Sequence, residues 1–264
     1  MSEPGSDYQP HDFWQERLAG QFDLRGTGHP GLSARYNARC YDLRAFVLDT
    51  ALARHEVPVA GRDVLDGGCG TGFFVEHFLS KGARVTGVDL TEVSARELSR
   101  RFPDARFEVG DLADWRPSRT YDLVSCFDVL FHIVDDERWD KALTNLADAV
   151  GPGGWFVFTE MFPRSRRFGR AAAHNVVRGW DAYRPALHAR GLSIVEEMPT
   201  HHLMNSELGV FRFLNRFPEF LYRVDLGLLV TGLLADRGLN RLVLCRRPEE
   251  GPKGAPPGPP ATAG

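Results

Sequence analysis

Five short apolar runs, separated by stretches with helical spacing, constrain this chain more than any other feature of its sequence. From Arg62 onward RDVLD, RVTGVDL, ARFEV, YDLVSCFDVL and GWFVFTEM each have the length and the β-branched or aromatic content of a strand. Between them, TEVSARELSRRF and DDERWDKALTNLADAV have the length and texture of helices. Strand and helix in alternation predict a parallel sheet covered on both faces, because a parallel connection needs a crossover and a helix supplies it.

The flanks are organised differently. Tyr36, Cys40, Leu43, Val47 and Ala51 recur at three- and four-residue steps and predict a helix, preceded by a loop that Gly26, Gly28, Pro30 and Gly31 punctuate. After the fifth strand, His174 to Arg190 reads as a helix stopped by Gly191, followed by the strand-like LSIVEEM. His201 to Gly238 then separates it from a last apolar run, RLVLC. Connections in compact domains are mostly about 2–8 residues, so this insertion is expected to form one or two helices and act as a cap. The expected organisation is a helical lid over 1–60, a core over 61–200, a cap insertion over 201–240, a final strand over 241–248 and a disordered Pro/Gly-rich tail over 249–264.

Composition narrows the partners. A formal net charge of -3 gives no whole-molecule attraction to polyanions, which argues against nucleic acid. Cys40, Cys69, Cys126 and Cys245 stand far apart with no CxxC pair, so neither a metal site nor a disulfide framework is expected, and reduced thiols fit a cytoplasmic protein. The most apolar later run, Leu226 to Leu234, is far short of the roughly 20 residues that span a bilayer, and the start is acidic and polar, so neither a membrane segment nor a signal peptide is expected.

The chemistry gathers where strands end. VLDGGCGTGFF carries Gly68, Gly70 and Gly72 in a turn between the first strand and a helix, where glycine reaches positive φ and lets backbone amides approach a ligand. A pyrophosphate fingerprint would read G-x-G-x-x-G, and Phe73 stands where its third glycine belongs, which weakens a nicotinamide reading. Asp89 ends the second strand about twenty residues on, placed to accept from both hydroxyls of a ribose. The third strand ends in Gly110, Asp111 and Leu112, an acceptor for an adenine amino group beside an apolar surface for its ring, and the fourth brings Phe127, Asp128 and His132 to the same edge.

In this order and spacing the chain resembles the class I S-adenosylmethionine-dependent methyltransferases of small-molecule type. DGGCGTG is similar to the family's first motif, VDL to its acidic second-strand motif, GDL to its adenine motif and GPGGWFVFTE to its turn into the fifth strand. The likeness runs from about Arg62 to Glu160 and, more loosely, through the final strands. It implies a Rossmann-like, doubly wound α/β sheet of seven strands with the last antiparallel. Asp66 and Gly68 would hold the methionine portion of S-adenosylmethionine, Asp89 with Leu90 the ribose, and Asp111 with Leu112 the adenine, while Gly70, Gly72 and Phe127 complete the site. Gly67 departs from the common Val, Ile or Leu. The segment before the first strand would close over the cofactor, with Arg35, Tyr36 and Asn37 as its candidates, although Tyr36 serves equally as a core aromatic.

Methyl transfer from a sulfonium is an in-line displacement that needs alignment and exclusion of water, with S-adenosylhomocysteine as the second product. A hydroxyl acceptor benefits from a general base, and His132 is the candidate, with a backbone-carbonyl hydrogen bond as its plain alternative. Asp128, Glu160 and His174 are next in line as bases, and Asn37, Glu160, His174 and Arg178 are candidates for touching a small-molecule acceptor. Trp180 and Tyr183 suit a helix-face core better than a pocket wall. The arginines Arg164, Arg166, Arg167 and Arg170 fit a solvated loop or a grip on an acidic substrate. The insertion, apolar on more than one face, suits a substrate lid or a homodimer contact. Two other readings share these motifs: cyclisation or rearrangement, including attack within the cofactor, and a silent cofactor-binding subunit.

Overall fold

A computed structural model of the chain describes residues 8–162, 174–204, 209–235 and 239–249. The expected strands appear as β1 (Asp63–Gly67), β2 (Arg84–Asp89), β3 (Arg106–Val109), β4 (Tyr121–Phe127), β5 (Val150–Met161), β6 (Ser193–Pro199) and β7 (Asn240–Arg246), each within a few residues of its apolar run. They form one seven-stranded sheet in the order β3-β2-β1-β4-β5-β7-β6. β1 to β5 are parallel, and β7 runs antiparallel between β5 and β6, pairing Phe158 with Val243 on one side and Ser193 with Arg246 on the other. The sheet implied by the sequence is the sheet observed.

Helices α4 (Phe73–Ser80) and α5 (Glu92–Arg101) carry the chain from β1 to β2 and from β2 to β3, and α6 (Asp136–Asp148) from β4 to β5. Thr91 and Asp135 cap the last two by accepting the Ser94 and Arg138 amides, so each helix begins on the polar residue that ends its loop. One face of the sheet buries Leu65, Val124, Phe156 and Phe158 against Trp139, Leu143 and Leu146 of α6 and Tyr183 and Leu187 of α7 (Trp180–Ala189). The other face buries Val64, Val85, Leu123 and Val157 against Phe74 and Phe78 of α4, Leu98 of α5 and Val47, Leu48 and Ala51 of α3 (Ala34–Arg54). α7 starts six residues later than the sequence pattern suggests: residues 174–179 are not helical, and the Val176 amide instead donates to the Phe131 carbonyl at 2.7 Å.

Two further helices, α1 (Pro10–Gly20) and the short α2 (Leu24–Thr27), precede α3, and α2 runs into the stretch that Gly26 and Gly28 predict as a loop. In the insertion, α8 (Pro218–Thr231) packs through Leu221 and Leu229 on Tyr36, Cys40 and Leu43 of α3, and its buried Asp225 accepts the amides of His202, Leu203 and Met204. No helix among the described residues is long and apolar enough to cross a membrane. The basic loop of Arg164 to Arg170 and the tail from 250 lie outside the described residues.

Candidate functional site

From β1 the chain winds outward to β2 and β3, then returns to lay β4 on the other side of β1. Successive crossovers therefore leave in opposite directions from β1, and the split between them opens a crevice at the carboxyl ends of the strands. A pocket occupies it, lined along the floor by Asp66 and Gly68 to Thr71 after β1, Asp89 and Leu90 after β2, Gly110 to Leu112 after β3, and Phe127 to Val129 with His132 after β4.

The glycine turn is shaped by what surrounds it. Gly68, Gly70 and Gly72 have φ of +77, +52 and +83 degrees. A Cβ on Gly68 would lie 2.4 Å from Val129 Cγ2, one on Gly70 2.7 Å from Thr27 Cγ2, and one on Gly72 2.4 Å from Leu98 Cδ2. Glycine is required at all three, by conformation and by space. Gly67 has a different reason: a Cβ there would meet Leu146 Cδ2 at 2.8 Å, so the larger residue common in the family would need the Leu146 side chain of α6 to move.

Asp89 organises this turn. Its Oδ2 accepts the Gly70 amide at 2.8 Å, and its Oδ1 accepts the Thr91 amide at 3.0 Å and the Thr91 hydroxyl at 2.8 Å. A carboxylate has about four lone-pair sites, so capacity for a ligand hydroxyl is left. Burial raises its pKa, and the hydrogen bonds from Thr91 and Gly70 oppose the rise. Asp66, which accepts from the Ser125 hydroxyl at 2.7 Å, is pushed up to about 7 by burial and, to a smaller degree, by the charge of Asp89. Two buried acids bordering one pocket with raised pKa values are in a state that a ligand cation or hydroxyl donor would relieve. At the β3 end, Asp111 accepts the Ala113 amide and pairs with Arg138 at 2.8 Å, beside Leu112.

The roof is α1, α2 and α3, which contribute Pro10, Trp14 and Leu18, Thr27, and Tyr41. Tyr41 Oη donates to Thr27 Oγ1 at 2.8 Å, and Thr27 Oγ1 lies 3.2 Å from Thr71 Oγ1, which ties roof to glycine turn. Trp14 meets the His132 ring edge-on, with centroids 4.9 Å apart. His132 stacks in turn with His174, and His174 with Phe13 of α1. Pro10, Trp14 and Leu18 are spaced by four, a stripe that lies outside the helical spacing beginning at Tyr36.

The pocket thus brings together Asp66, Gly68, Gly70, Asp89, Leu90, Asp111, Leu112, Phe127 and His132. Gly72 lies just beyond its lining as the N-cap of α4. Five other candidates stand elsewhere. Tyr36 is buried between α3 and α8. Asn37 bridges the α2–α3 turn, accepting the His29 amide at 2.7 Å and donating to the carbonyls of His29 and Ser33. Glu160 is fully buried in β5, accepting from the Tyr183 hydroxyl and the Met161 amide, and burial pushes it up to about 8. Arg178 pairs with Asp136 at 2.7 Å and covers the Trp139 ring. His174 supports the pocket from behind, its carbonyl accepting from His132 Nδ1 at 2.8 Å.

That last bond fixes the His132 tautomer: Nδ1 carries the proton and Nε2 is left as acceptor. Burial pushes the ring down to about 4, against the pull of the His174 carbonyl, so it is neutral at pH 7 and weakly basic. Next to it, Asp128 has φ of +57 degrees, a conformation that costs a non-glycine residue about 1–3 kcal/mol and persists where its surroundings hold it. By its place in the sequence alone, Asp128 is only a reserve base. No group of His, Cys, Asp and Glu suited to holding a metal ion occurs among the described residues.

Residues 64–154 match the family model for a methyltransferase domain. The chain is 32% identical over 169 residues to the dTDP-3-amino-3,4,6-trideoxy-alpha-D-glucopyranose N,N-dimethyltransferase of Streptomyces venezuelae, covering 58% of this chain and 71% of that enzyme. It belongs to the class I S-adenosylmethionine-dependent methyltransferases. Within that family it is also 35% identical to a ubiquinone biosynthesis O-methyltransferase of Albidiferax ferrireducens, over 40% of this chain and 44% of the relative. Against several relatives of this ubiquinone type the chain spans about half of their length. In three dimensions it matches a magnesium protoporphyrin IX methyltransferase of Synechocystis, solved with bound S-adenosylmethionine, at a TM-score of 0.59 and 16% identity, over 92% of this chain and 99% of that one. At that identity the match speaks for the family fold.

Proposed function

We propose that this chain transfers a methyl group from S-adenosylmethionine to a small-molecule acceptor. The observation that carries the reading is the single pocket wall formed by Asp66, Asp89 and Asp111 at three strand ends, beneath a roof of Trp14, Leu18 and Tyr41. Asp89 would hold the ribose, Asp111 and Leu112 the adenine, and Asp66 the ammonium of the methionine portion. Its close glycine turn fits a ligand that packs against bare backbone. When bound, S-adenosylmethionine supplies an electrophilic methyl group on a sulfonium. The protein's part is to align an acceptor with it, and α1 and α2 exclude water from above.

The acceptor would approach from the β4 side, the end of the pocket left over once a nucleoside spans β1 to β3. Four free, buried cysteines support a reducing, cytoplasmic setting. The lid, core and cap remain the working division of the chain, with α1 rather than Tyr36 as the working part of the lid. Phe211, Phe213, Phe217 and Phe220 are more than half exposed at the outside of the cap, which supports its use as a homodimer contact. Sedimentation of wild type against Phe217→Asp, with a monomer expected for the variant, tests that contact. For the activity, calorimetry with S-adenosylhomocysteine should give micromolar binding, and an acceptor screen should release S-adenosylhomocysteine. Absence of binding would sink the reading, and release of methylthioadenosine would replace methyl transfer by intramolecular attack.

A further inference from the structure

The β4 end of the pocket is built around an anion that the cofactor assignments do not use. Asp128 follows β4 directly, one strand beyond β1 on the side opposite Asp89. Its left-handed backbone is held by its own amide, which donates to Thr159 Oγ1 at 2.9 Å, and by the Thr159 hydroxyl, which donates to Oδ1 at 2.8 Å. Arg44 of α3 pairs through Nε with Oδ2 at 2.8 Å. The Arg44 side chain is 7% exposed and does not border the pocket, whereas that of Asp128 is 20% exposed and does. The pocket therefore meets the negative end of an oriented ion pair, and the Thr159 hydroxyl bond and the Arg44 ion pair leave acceptor sites on the carboxylate free.

We propose that Asp128, set in place by Arg44 and Thr159, binds the nucleophilic nitrogen of the acceptor, so that this enzyme's acceptors are amines rather than alcohols or phenols. The inference rests on the methyl-transfer reading above. An amine attacks with its own lone pair: the N–C bond forms as the C–S bond breaks, the bonding pair returns to sulfur, and the nitrogen becomes an ammonium that later gives its proton to water. Positive charge thus grows on nitrogen along the reaction, and a carboxylate already fixed beside it binds that nitrogen more tightly in the transition state than before. A hydroxyl acceptor needs the opposite service, removal of a proton. His132, the only imidazole bordering the pocket among the described residues, is a poor base at about 4 with its Nδ1 committed to a carbonyl.

The test uses sinefungin, which carries an amine-bearing carbon in place of the methylated sulfonium and so presents a cationic nitrogen at the transfer position. Calorimetry compares its affinity with that of S-adenosylhomocysteine in wild type and in Asp128→Asn, a change that tolerates the left-handed backbone. The ratio of sinefungin to S-adenosylhomocysteine affinity should fall about tenfold in the variant, with S-adenosylhomocysteine itself within about twofold. An unchanged ratio overturns the role of Asp128, whereas a wild type that binds neither ligand overturns the methyltransferase reading instead. Should Asp128→Asn lose both ligands through misfolding, matched amine and alcohol acceptors of one carbon skeleton decide with the wild type. Faster S-adenosylhomocysteine release from the amines supports the proposal, and faster release from the alcohols ends it.

Discussion

Replacing Asp66 with asparagine should strengthen the ligand-free protein and weaken its hold on the cofactor. The carboxyl sits at the end of β1, 3% exposed, and its pKa is raised from 3.8 to about 7. A group whose folded pKa lies above its unfolded value binds its proton more tightly in the folded state. The stability it confers is present below about pH 4 and is lost as pH rises towards 7. Three units at about 1.4 kcal/mol each make that loss about 4 kcal/mol by pH 8. Asparagine keeps Oδ1 for the Ser125 hydroxyl and never ionises, but burying its amide takes back about 1–3 kcal/mol. The variant should therefore gain about 1–3 kcal/mol over wild type at pH 8 and little or nothing at pH 5. Urea unfolding of the ligand-free proteins at both pH values measures this. In calorimetry the same variant should bind S-adenosylmethionine about 10- to 100-fold more weakly, for want of a charge-assisted bond to the methionine ammonium. A stability difference that is the same at pH 5 and pH 8 would refute the reasoning, because it would mean that Asp66 ionises in the fold as it does in water.

Trp14→Ala should weaken S-adenosylhomocysteine binding about tenfold in calorimetry, since it removes the roof's edge contact with His132; wild-type affinity would take α1 out of the site. His132→Asn should lower kcat on the native acceptor less than about tenfold. The wild-type kcat profile should carry no limb from this ring between pH 5.5 and 8, because it deprotonates near 4; a limb near 6.5 that the variant loses would restore it as the base. Glu160→Gln should flatten the pH dependence of unfolding between about 5 and 8, since its folded pKa of about 8 lies above its ordinary 4.5, and should leave cofactor affinity alone; a large loss of affinity would bring Glu160 into the site. Gly68→Ala should abolish binding, with its Cβ 2.4 Å from Val129, and normal affinity would show that the turn shifts freely.

The sheet and the floor of the pocket were legible because their signals are local: an apolar run is a strand wherever it packs, and an acid at a strand's carboxyl end faces the crevice. The roof was less so. Trp14 and Leu18 reach the pocket only because α1 docks beside α5 and α2, and no local pattern states which way a leading helix docks. Tyr36 and Tyr41 are five residues apart on one helix, and sequence spacing could not decide which of them faces the pocket; α8, far along the chain, claims Tyr36. Asp128 was visible, but its orientation depends on Arg44 and Thr159 from two other elements. Glu160 read as a substrate contact because it lies at the end of β5, yet Tyr183 closes over it from α7.

The place of β7 between β5 and β6 has a consequence for how the molecule is made. On a ribosome, β1 to β5 can pair as they emerge, but β6 has no neighbour until Asn240–Arg246 follows it out and slots into the gap. Until then β5 presents an unpaired edge with Phe156 and Phe158 along it, the kind of edge that other chains can pair with. Truncation before Asn240 would remove one strand, detach β6 and leave the β5 edge bare, so a nascent chain stalled there should collect in aggregates rather than accumulate as a slightly shorter enzyme.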